Sequence, residues 1–389
     1  MRILEIISTV NPAGGGPIEG IKQLAAFNAA RGHKIELASL DAPDSPYLQT
    51  VAMQVHPLGP ALGSYSYSPR FVPWLRQNAA SYDAVVVNGL WQYSSFGTWR
   101  ALHRSSTPYV VFTHGQLDPW FKHHYPLKHL KKCLYWPWAE YRALRDARAV
   151  LFTCKEEEQL VRESFWPFPD NGIVVSYGTA GPSGDPQVER EAFLDRFPEL
   201  RGKRLAVFLG RLHPKKGCDL LIQAFAQVLA NDPSWRLVMA GPDQTGWRSK
   251  LTAMAKNLKV ADRITWTGMI DGDIRWGALR AAEIFVLPSH SENFGIVVVE
   301  ALACGVPVLI SDRVNIWREV VDGGAGMVAP DSLAGTAQLL QAWTNLSAPE
   351  QHEFRSRTVE CFRNNFEVSH AANLLIGTLQ KVVRSKSTC

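Results

Sequence analysis

Short runs of β-branched and apolar residues recur along this chain, and the segments between them are long enough for helices. The first half carries "RILEIIS", "KIELASL", "YDAVVVNG", "PYVVFTHG", "AVLFTC" and "GIVVSYG"; the second carries "RLAVFLGRL", "WRLVMAGP", "RITWTGM", "EIFVLPS", "PVLISD" and "GAGMVAP". A strand that is apolar on both faces must be covered on both faces, the condition of a parallel sheet between two helix layers. The pattern predicts α/β architecture, twice over. Between the halves, "SYGTAGPSGDPQ" is rich in Gly, Pro and Ser and poor in side chains that pack, so it reads as a linker near residues 178–188. A chain of 389 residues also exceeds what one hydrophobic core organises. We expect domains over residues 1–178 and 179–365. A terminal helix over 366–389, with the apolar stripe Leu374, Leu375, Leu379 and Val382, then crosses back onto the first domain.

Two Rossmann-like domains bring the carboxyl ends of their strands to a shared cleft, where open α/β sheets bind ligands. In "SHSENFGIVVVEALAC", Glu292 sits in a turn and Glu300 in the helix that follows. A carboxylate in so apolar a run is costly unless something pairs with it or uses it. The amides near Phe294, Gly295 and Ile296, at the start of that helix, make an anion site suited to phosphate. Carboxylates beside a phosphate repel it unless they hold hydroxyl-rich groups attached to it; a ribose and a hexose on either side of a diphosphate fit that description. In "FLGRLHPKKGCDLL", Arg211 and Lys216 leave a strand end together. Such cations stabilise the charge that develops on a leaving diphosphate as a glycosidic bond breaks. In the first half, "NPAGGGPIEGIKQL" is a Gly-rich strand-to-helix turn, with Pro17 at the first helical position and Gly14, Gly15 and Gly16 allowing a ligand close to the backbone.

With these three elements in this order and spacing, the chain resembles the retaining glycosyltransferases of family 4, and the likeness covers most of its length. The resemblance implies a GT-B fold, two Rossmann-like parallel-sheet domains facing across a cleft. It implies an enzyme that moves a hexose from a UDP- or GDP-linked sugar to a glycan or polyprenyl-linked acceptor, keeping the anomeric configuration, in cell-surface polysaccharide synthesis. By the same likeness Glu300 holds the ribose hydroxyls, Glu292 the donor sugar, and Arg211 and Lys216 the diphosphate. Gly15 and Gly16 approach the donor, Asn293, Phe294 and Gly295 offer backbone amides, and Gly268 and Met269 in "TWTGM" lie at the base. His114 in "VVFTHGQLDPW" resembles the family histidine that faces the transferred sugar, and Asp118 is an acceptor-side candidate for binding hydroxyls. Retention in this family is described as a front-face displacement in which the leaving phosphate helps deprotonate the acceptor, so a nucleophile and acid pair of carboxylates is not required. Two rivals share the fold: an epimerase or hydrolase that needs no acceptor, and a nucleotide-sugar binder without turnover.

The 41 Lys and Arg against 36 Asp and Glu leave a net charge of +5, which suits an anionic ligand and does not by itself point to nucleic acid. Basic residues concentrate in "WFKHHYPLKHLKKCLYWPWAEYRALRDAR", residues 120–148. There Leu127, Leu130 and Leu134 share one helical face, Lys128, Lys131 and Lys132 lie elsewhere, and Trp120, Trp136 and Trp138 flank them. Such a helix suits an anionic membrane surface; the same pattern serves a helix docked on the first sheet with a solvated basic face. No metal and no cofactor beyond the donor are expected. The "DGD" of residues 271–273 reads as the capped start of a helix, and His123, His124 and His129 match no zinc spacing. The six cysteines are scattered, "MRILEIISTV" reads as a strand rather than a signal peptide, and the apolar stretch 294–310 falls short of the ~20 residues of a membrane span. The expectation is a cytoplasmic protein, peripheral on the inner face of the membrane where 120–148 docks.

Overall fold

A computed structural model of the chain describes residues 1–12 and 16–384; Gly14 and Gly15 lie outside the described residues, as does Cys389. The chain divides into two compact units, Met1–Gly178 with the segment that begins at Val368, and Thr179–Glu367.

In the first unit seven strands lie in the order β3-β2-β1-β4-β5-β6-β7. They are β1 (Arg2–Ile7), β2 (Lys34–Ser39), β3 (Gln54–Pro57), β4 (Ala84–Asn88), β5 (Tyr109–Phe112), β6 (Val150–Phe152) and β7 (Gly172–Val174), paired in parallel. All but β3 coincide with the apolar runs of the sequence. β3 escaped notice because "QVHP" has one β-branched residue, ends in Pro57 and is only half-buried. It lies at the sheet edge, where a proline forfeits no ladder bond. β4 and β5 are buried along their whole length, and each aliphatic side chain so buried stabilises by about 1.5–3 kcal/mol over exposure. Leu4, Ile6, Val85, Val87, Val111 and Phe152 fill one face. Ile7 and Leu37 fill the other with Ile18 and Ile21 of the helix Gly16–Ala30.

The helix Val368–Arg384 belongs to this unit and packs on the helix Gly16–Ala30. It buries Ala371, Ala372, Leu375, Ile376, Leu379 and Val382. Leu374, expected in that stripe, faces solvent, because Ala371 and Ala372, not a leucine, hold the turn of the face that meets the neighbouring helix.

The helix Pro126–Tyr135 has no buried residue. Leu127, Leu130, Leu134 and, just beyond, Trp138 are 82%, 58%, 71% and 68% exposed. The leucines therefore do not pack on the sheet; the helix docks by its other side, where Cys133 packs against the core of the first unit. Residues 120–139 include Lys122, Lys128, Lys131 and Lys132 and no Asp or Glu. The segment is held from beneath: Lys132 Nζ lies 4.3 Å from the ring centre of Trp91, and buried Trp136 stacks on Phe165 at 4.6 Å.

The second unit repeats the plan. Its strands β8 (Arg204–Leu209), β9 (Trp235–Ala240), β10 (Ile264–Gly268), β11 (Ile284–Leu287), β12 (Val308–Ser311) and β13 (Gly326–Ala329) lie in the order β10-β9-β8-β11-β12-β13. The linker ends at Asp185, whose side chain caps the helix Pro186–Arg196 by accepting from Gln187 N at 2.9 Å and Val188 N at 3.0 Å. The two places where the chain passes between units sit side by side: Thr179 pairs with Glu367, and Thr179 N donates to Phe366 O at 3.0 Å. Among the described residues no helix is long and apolar enough to cross a membrane. No three His, Cys, Asp or Glu side chains among them are grouped so as to hold a metal ion.

Candidate functional site

In the second unit the strand order reverses between β8 and β11, and open α/β sheets bind ligands outside the carboxyl ends of strands at such a switch point. The segments 210–217 and 288–295 leave there, laced to each other. The carbonyl of Lys215 accepts from His290 N at 2.8 Å and from Ser289 Oγ at 2.9 Å. Glu292 N donates to Arg313 O at 2.8 Å and Asn315 N to Glu292 O at 3.0 Å, so the residue is pinned through its backbone. Gly217, at φ 66, packs so closely that a Cβ would lie 2.0 Å from Pro288 O. Only glycine lets the two segments meet there.

This lacing sets Lys216 against Glu292 as an ion pair, although the sequence had given them separate tasks. Gly295, at φ 67, closes the turn, and the helix runs Ile296–Ala303; neither Glu292 nor Asn293 caps it. The amides of Gly295 and Ile296 donate to no partner among the described residues. Phe294 is buried and meets Phe366 edge-on at 5.8 Å. Glu300, the fifth residue of that helix, is buried and pairs with Arg275 of the helix Gly272–Ala281. Burial raises the Glu300 carboxyl to about 7, against the pull of Arg275. Burial lowers Lys216 to about 7, with Lys215 and Arg211 acting in the same direction; the Glu292 carboxylate in contact with it favours the ammonium. Arg211 is exposed just past β8 and makes no ion pair among the described residues. Gly268 ends β10 at φ 68 and accepts from Gly241 N at 2.8 Å, and Met269 after it is 72% exposed.

In the first unit His114 follows β5 with φ 49, and Gly115 follows it at φ 71. A left-handed conformation costs a residue with a Cβ about 1–2 kcal/mol, and Glu157 holds this one in place. Its buried carboxylate accepts from Thr113 Oγ1 and Gly115 N, both at 2.6 Å, and from Thr153 N and Oγ1 at 2.8 and 2.7 Å. The His114 ring stacks on Phe112, with centroids 4.8 Å apart, and meets Tyr177 edge-on at 5.5 Å. Its Nε2 lies 2.9 Å from Asn88 Oδ1, and Asn88 Nδ2 donates to Glu5 Oε2 at 2.7 Å. Burial lowers the imidazole to about 3, so it is neutral near pH 7. Asp118 Oδ1 accepts from Trp120 N at 2.7 Å and so supports the turn into the helix Trp120–His124. Gly16 opens the first helix.

Two family models match this chain, "Glycosyl transferase 4-like domain" over residues 15–178 and "Glycosyl transferases group 1" over residues 189–357. The chain belongs to the group 1 glycosyltransferases. It is similar to the D-inositol 3-phosphate glycosyltransferase of Geodermatophilus obscurus, 32% identical over 188 residues that cover 46% of this chain and 41% of that one. The same enzyme of Rhodococcus opacus is 33% identical over 189 residues, with the same shares covered. The chain thus spans about two fifths of the length of the curated relatives it matches. In fold it is similar to Anabaena HepE, solved with UDP and glucose, at a TM-score of 0.76 and 20% identity over 98% of this chain and 100% of that one. Sucrose-phosphate synthase from Thermosynechococcus elongatus gives 0.74 and 21%, with 99% of each chain covered. This glycosyltransferase has the GT-B fold, two parallel-sheet α/β domains.

Sequence reasoning missed several residues that organise the glycosyltransferase. Arg275 is the cation on Glu300, and the only signal for it was the rule that a buried carboxylate needs a partner. Glu157 and the Glu5–Asn88 pair lie 43 and more than 25 positions from the His114 they support, beyond any local pattern. Asp271 occupies the N-cap position of the helix Gly272–Ala281, but its side chain makes no capping bond. The acidic start of that helix complements its dipole instead, which corrects the capping assigned to it.

Proposed function

We propose that this chain is a retaining hexosyltransferase that uses a UDP- or GDP-linked sugar and a glycan or polyprenyl-linked acceptor, in cell-surface polysaccharide synthesis. The observation that carries the reading is the pair of ion pairs, Lys216 with Glu292 and Arg275 with Glu300, flanking one helix start at the switch point of the second sheet. In this reading Lys216 and Arg211 face the diphosphate, the amides of residues 293–295 add donors, Glu292 takes hydroxyls of the hexose and Glu300 those of the ribose. Cations fixed beside a leaving diphosphate stabilise the charge that grows on it in the transition state. The bond from the anomeric carbon to the diphosphate oxygen breaks, the acceptor oxygen bonds on the same face, and its proton passes to the leaving phosphate. Neutral His114 and Asp118 serve the sugar and the acceptor, and Gly268 and Met269 the base. Anabaena HepE was solved with UDP and glucose, which supports a uridine donor.

A polyprenyl-linked acceptor is presented at a membrane, and the reading includes peripheral attachment to its inner face through residues 120–148. The outward leucines and the acid-free basic rim of the helix Pro126–Tyr135 support an anionic bilayer as the partner.

Thermal unfolding with a panel of UDP-, GDP- and ADP-sugars tests the donor: one nucleotide class should raise the Tm with the logarithm of its concentration, about 2.7 kcal/mol at a hundredfold excess over Kd. With that donor, Glu292→Ala should abolish transfer and weaken nucleotide binding only modestly. A chain that binds the donor but turns nothing over is a sensor, and one that releases an isomer or free sugar without an acceptor is the epimerase or hydrolase; either result sinks the proposal.

A further inference from the structure

Glu5 stands in the middle of β1, the central strand of the first sheet, with 6% of its surface exposed. A carboxylate buried there without a cation is expensive. No ion pair reaches it among the described residues, and its hydrogen bond is the one from Asn88 Nδ2, at 2.7 Å. Strand register explains the contact: Ile7 pairs with Asn88 and Glu5 with Val86, so Glu5 and Asn88 share a sheet face one pleat apart. The hydroxyl of the neighbouring Tyr177 is turned away and donates to Pro17 O at 2.8 Å. An ionised carboxylate accepts only, so it draws the amide's NH2 and turns Oδ1 outward. That oxygen is what faces His114 Nε2, at 2.9 Å. An acceptor at Nε2 demands the proton on Nε2, and in a neutral ring Nδ1 then carries a lone pair. Nδ1 makes no hydrogen bond among the described residues, while Phe112 and Tyr177 fix the ring plane.

We propose that Glu5, acting through Asn88, is a positioning residue for His114, locking its imidazole in the Nε2–H tautomer so that Nδ1 accepts a hydroxyl of the sugar. The last step rests on the transferase reading above; the tautomer does not. Burial acts in the same direction, lowering His114 to about 3 and so keeping the ring neutral.

The test is heteronuclear NMR on the full chain with 15N-labelled histidine at mildly alkaline pH, where Glu5 is ionised, with the His114 signals assigned by their loss in His114→Gln. The wild type should show a neutral Nε2–H ring. Glu5→Gln carries an amide that can donate as well as accept, which frees Asn88 to turn over, so the same ring should become a mixture of tautomers. Steady-state transfer by that variant should fall about tenfold in kcat/KM for the donor, the equivalent of one hydrogen bond. A wild-type ring protonated on Nδ1 overturns the proposal with no variant needed, as does an unchanged tautomer in folded Glu5→Gln. Where Glu5→Gln folds poorly, Asn88→Ser carries the same expectation. A tautomer that responds in a chain that transfers no sugar from any nucleotide upholds the positioning and overturns the transferase reading alone.

Discussion

Glu300 shows how one residue in this molecule answers to two demands. Its place in an apolar helix face secures burial, and burial raises its carboxyl to about 7; Arg275 then keeps the ionised form tolerable. A carboxyl whose folded pKa lies above its unfolded value near 4.3 is a group whose stability contribution is lost as pH rises through that interval. Arg275→Met removes the cation and leaves the carboxylate alone, so the variant should lose about 1–3 kcal/mol near pH 8 and much less near pH 5, where Glu300 is protonated. Urea unfolding at the two pH values measures it. An equal loss at both would mean that Arg275 acts through packing and not charge. The carboxylate was legible in the sequence because it interrupts "IVVVEALAC"; its partner was not, since any of the 41 Lys and Arg could supply the charge and only chain geometry selects one.

Among elements, the helix Pro126–Tyr135 is the one whose sequence pattern left two readings open. Leucines at 127, 130 and 134 define a face, but whether that face looks into the sheet or away from it depends on what the neighbouring chain offers. Buried Trp136 and half-buried Lys132, over Trp91, already occupy the inner side, and the leucines face out. Replacing all three by Ser should leave stability within about 0.5 kcal/mol, as exposed sites do. It should abolish co-sedimentation with vesicles containing phosphatidylglycerol, to which each lysine near the surface adds about 1 kcal/mol; the wild type should pellet with these and not with neutral phosphatidylcholine. Wild type that ignores anionic vesicles removes the membrane as partner. A concentration-dependent dimer that the triple variant dissolves would put a second copy on this face instead. β3 gives the converse lesson: an edge strand needs no two-sided burial, so its sequence carries little of the signal by which a central strand is read.

At the scale of the whole molecule, three buried carboxyls, Glu5, Glu140 and Glu300, are all raised to about 7 by burial. Between about pH 4.3 and 7 the folded chain holds protons at these sites that the unfolded chain has released, so each withdraws stability as pH rises, by about 3–4 kcal/mol at most. Glu36 does not join them. Burial raises it too, but Tyr82, His56, Lys34 and Arg2 together hold it below the usual carboxylate range, so its contribution is constant across this window. His114 opposes the three, because a histidine lowered to about 3 costs stability as pH falls below 6.5. The carboxyl share is isolated by Glu140→Gln, whose amide matches the protonated acid that Trp91 N and Ser95 Oγ contact. The variant should match wild type most closely near pH 4 and exceed it by up to about 3–4 kcal/mol near pH 8 in urea unfolding; no gain at the higher pH would mean that Glu140 is ionised without penalty.

The amino-acid order alone determined that the chain forms two parallel α/β units with a loop-forming stretch between them, because two-sided apolar strands, helix-length spacers and a Gly/Pro/Ser segment are local properties. It also marked the strand-end motifs around Lys216, Glu292 and Glu300, since charges in apolar surroundings stand out along a line of text. Tertiary structure decided the pairings: Lys216 on Glu292, Arg275 on Glu300, Glu157 under the His114 turn, and Glu5 on Asn88. It also decided which side of the leucine helix meets solvent and which residues of the last helix form its buried stripe. Those choices depend on distances between segments far apart in the chain, and a buried charge or an amphipathic face states only that a partner is required, leaving its identity to the fold.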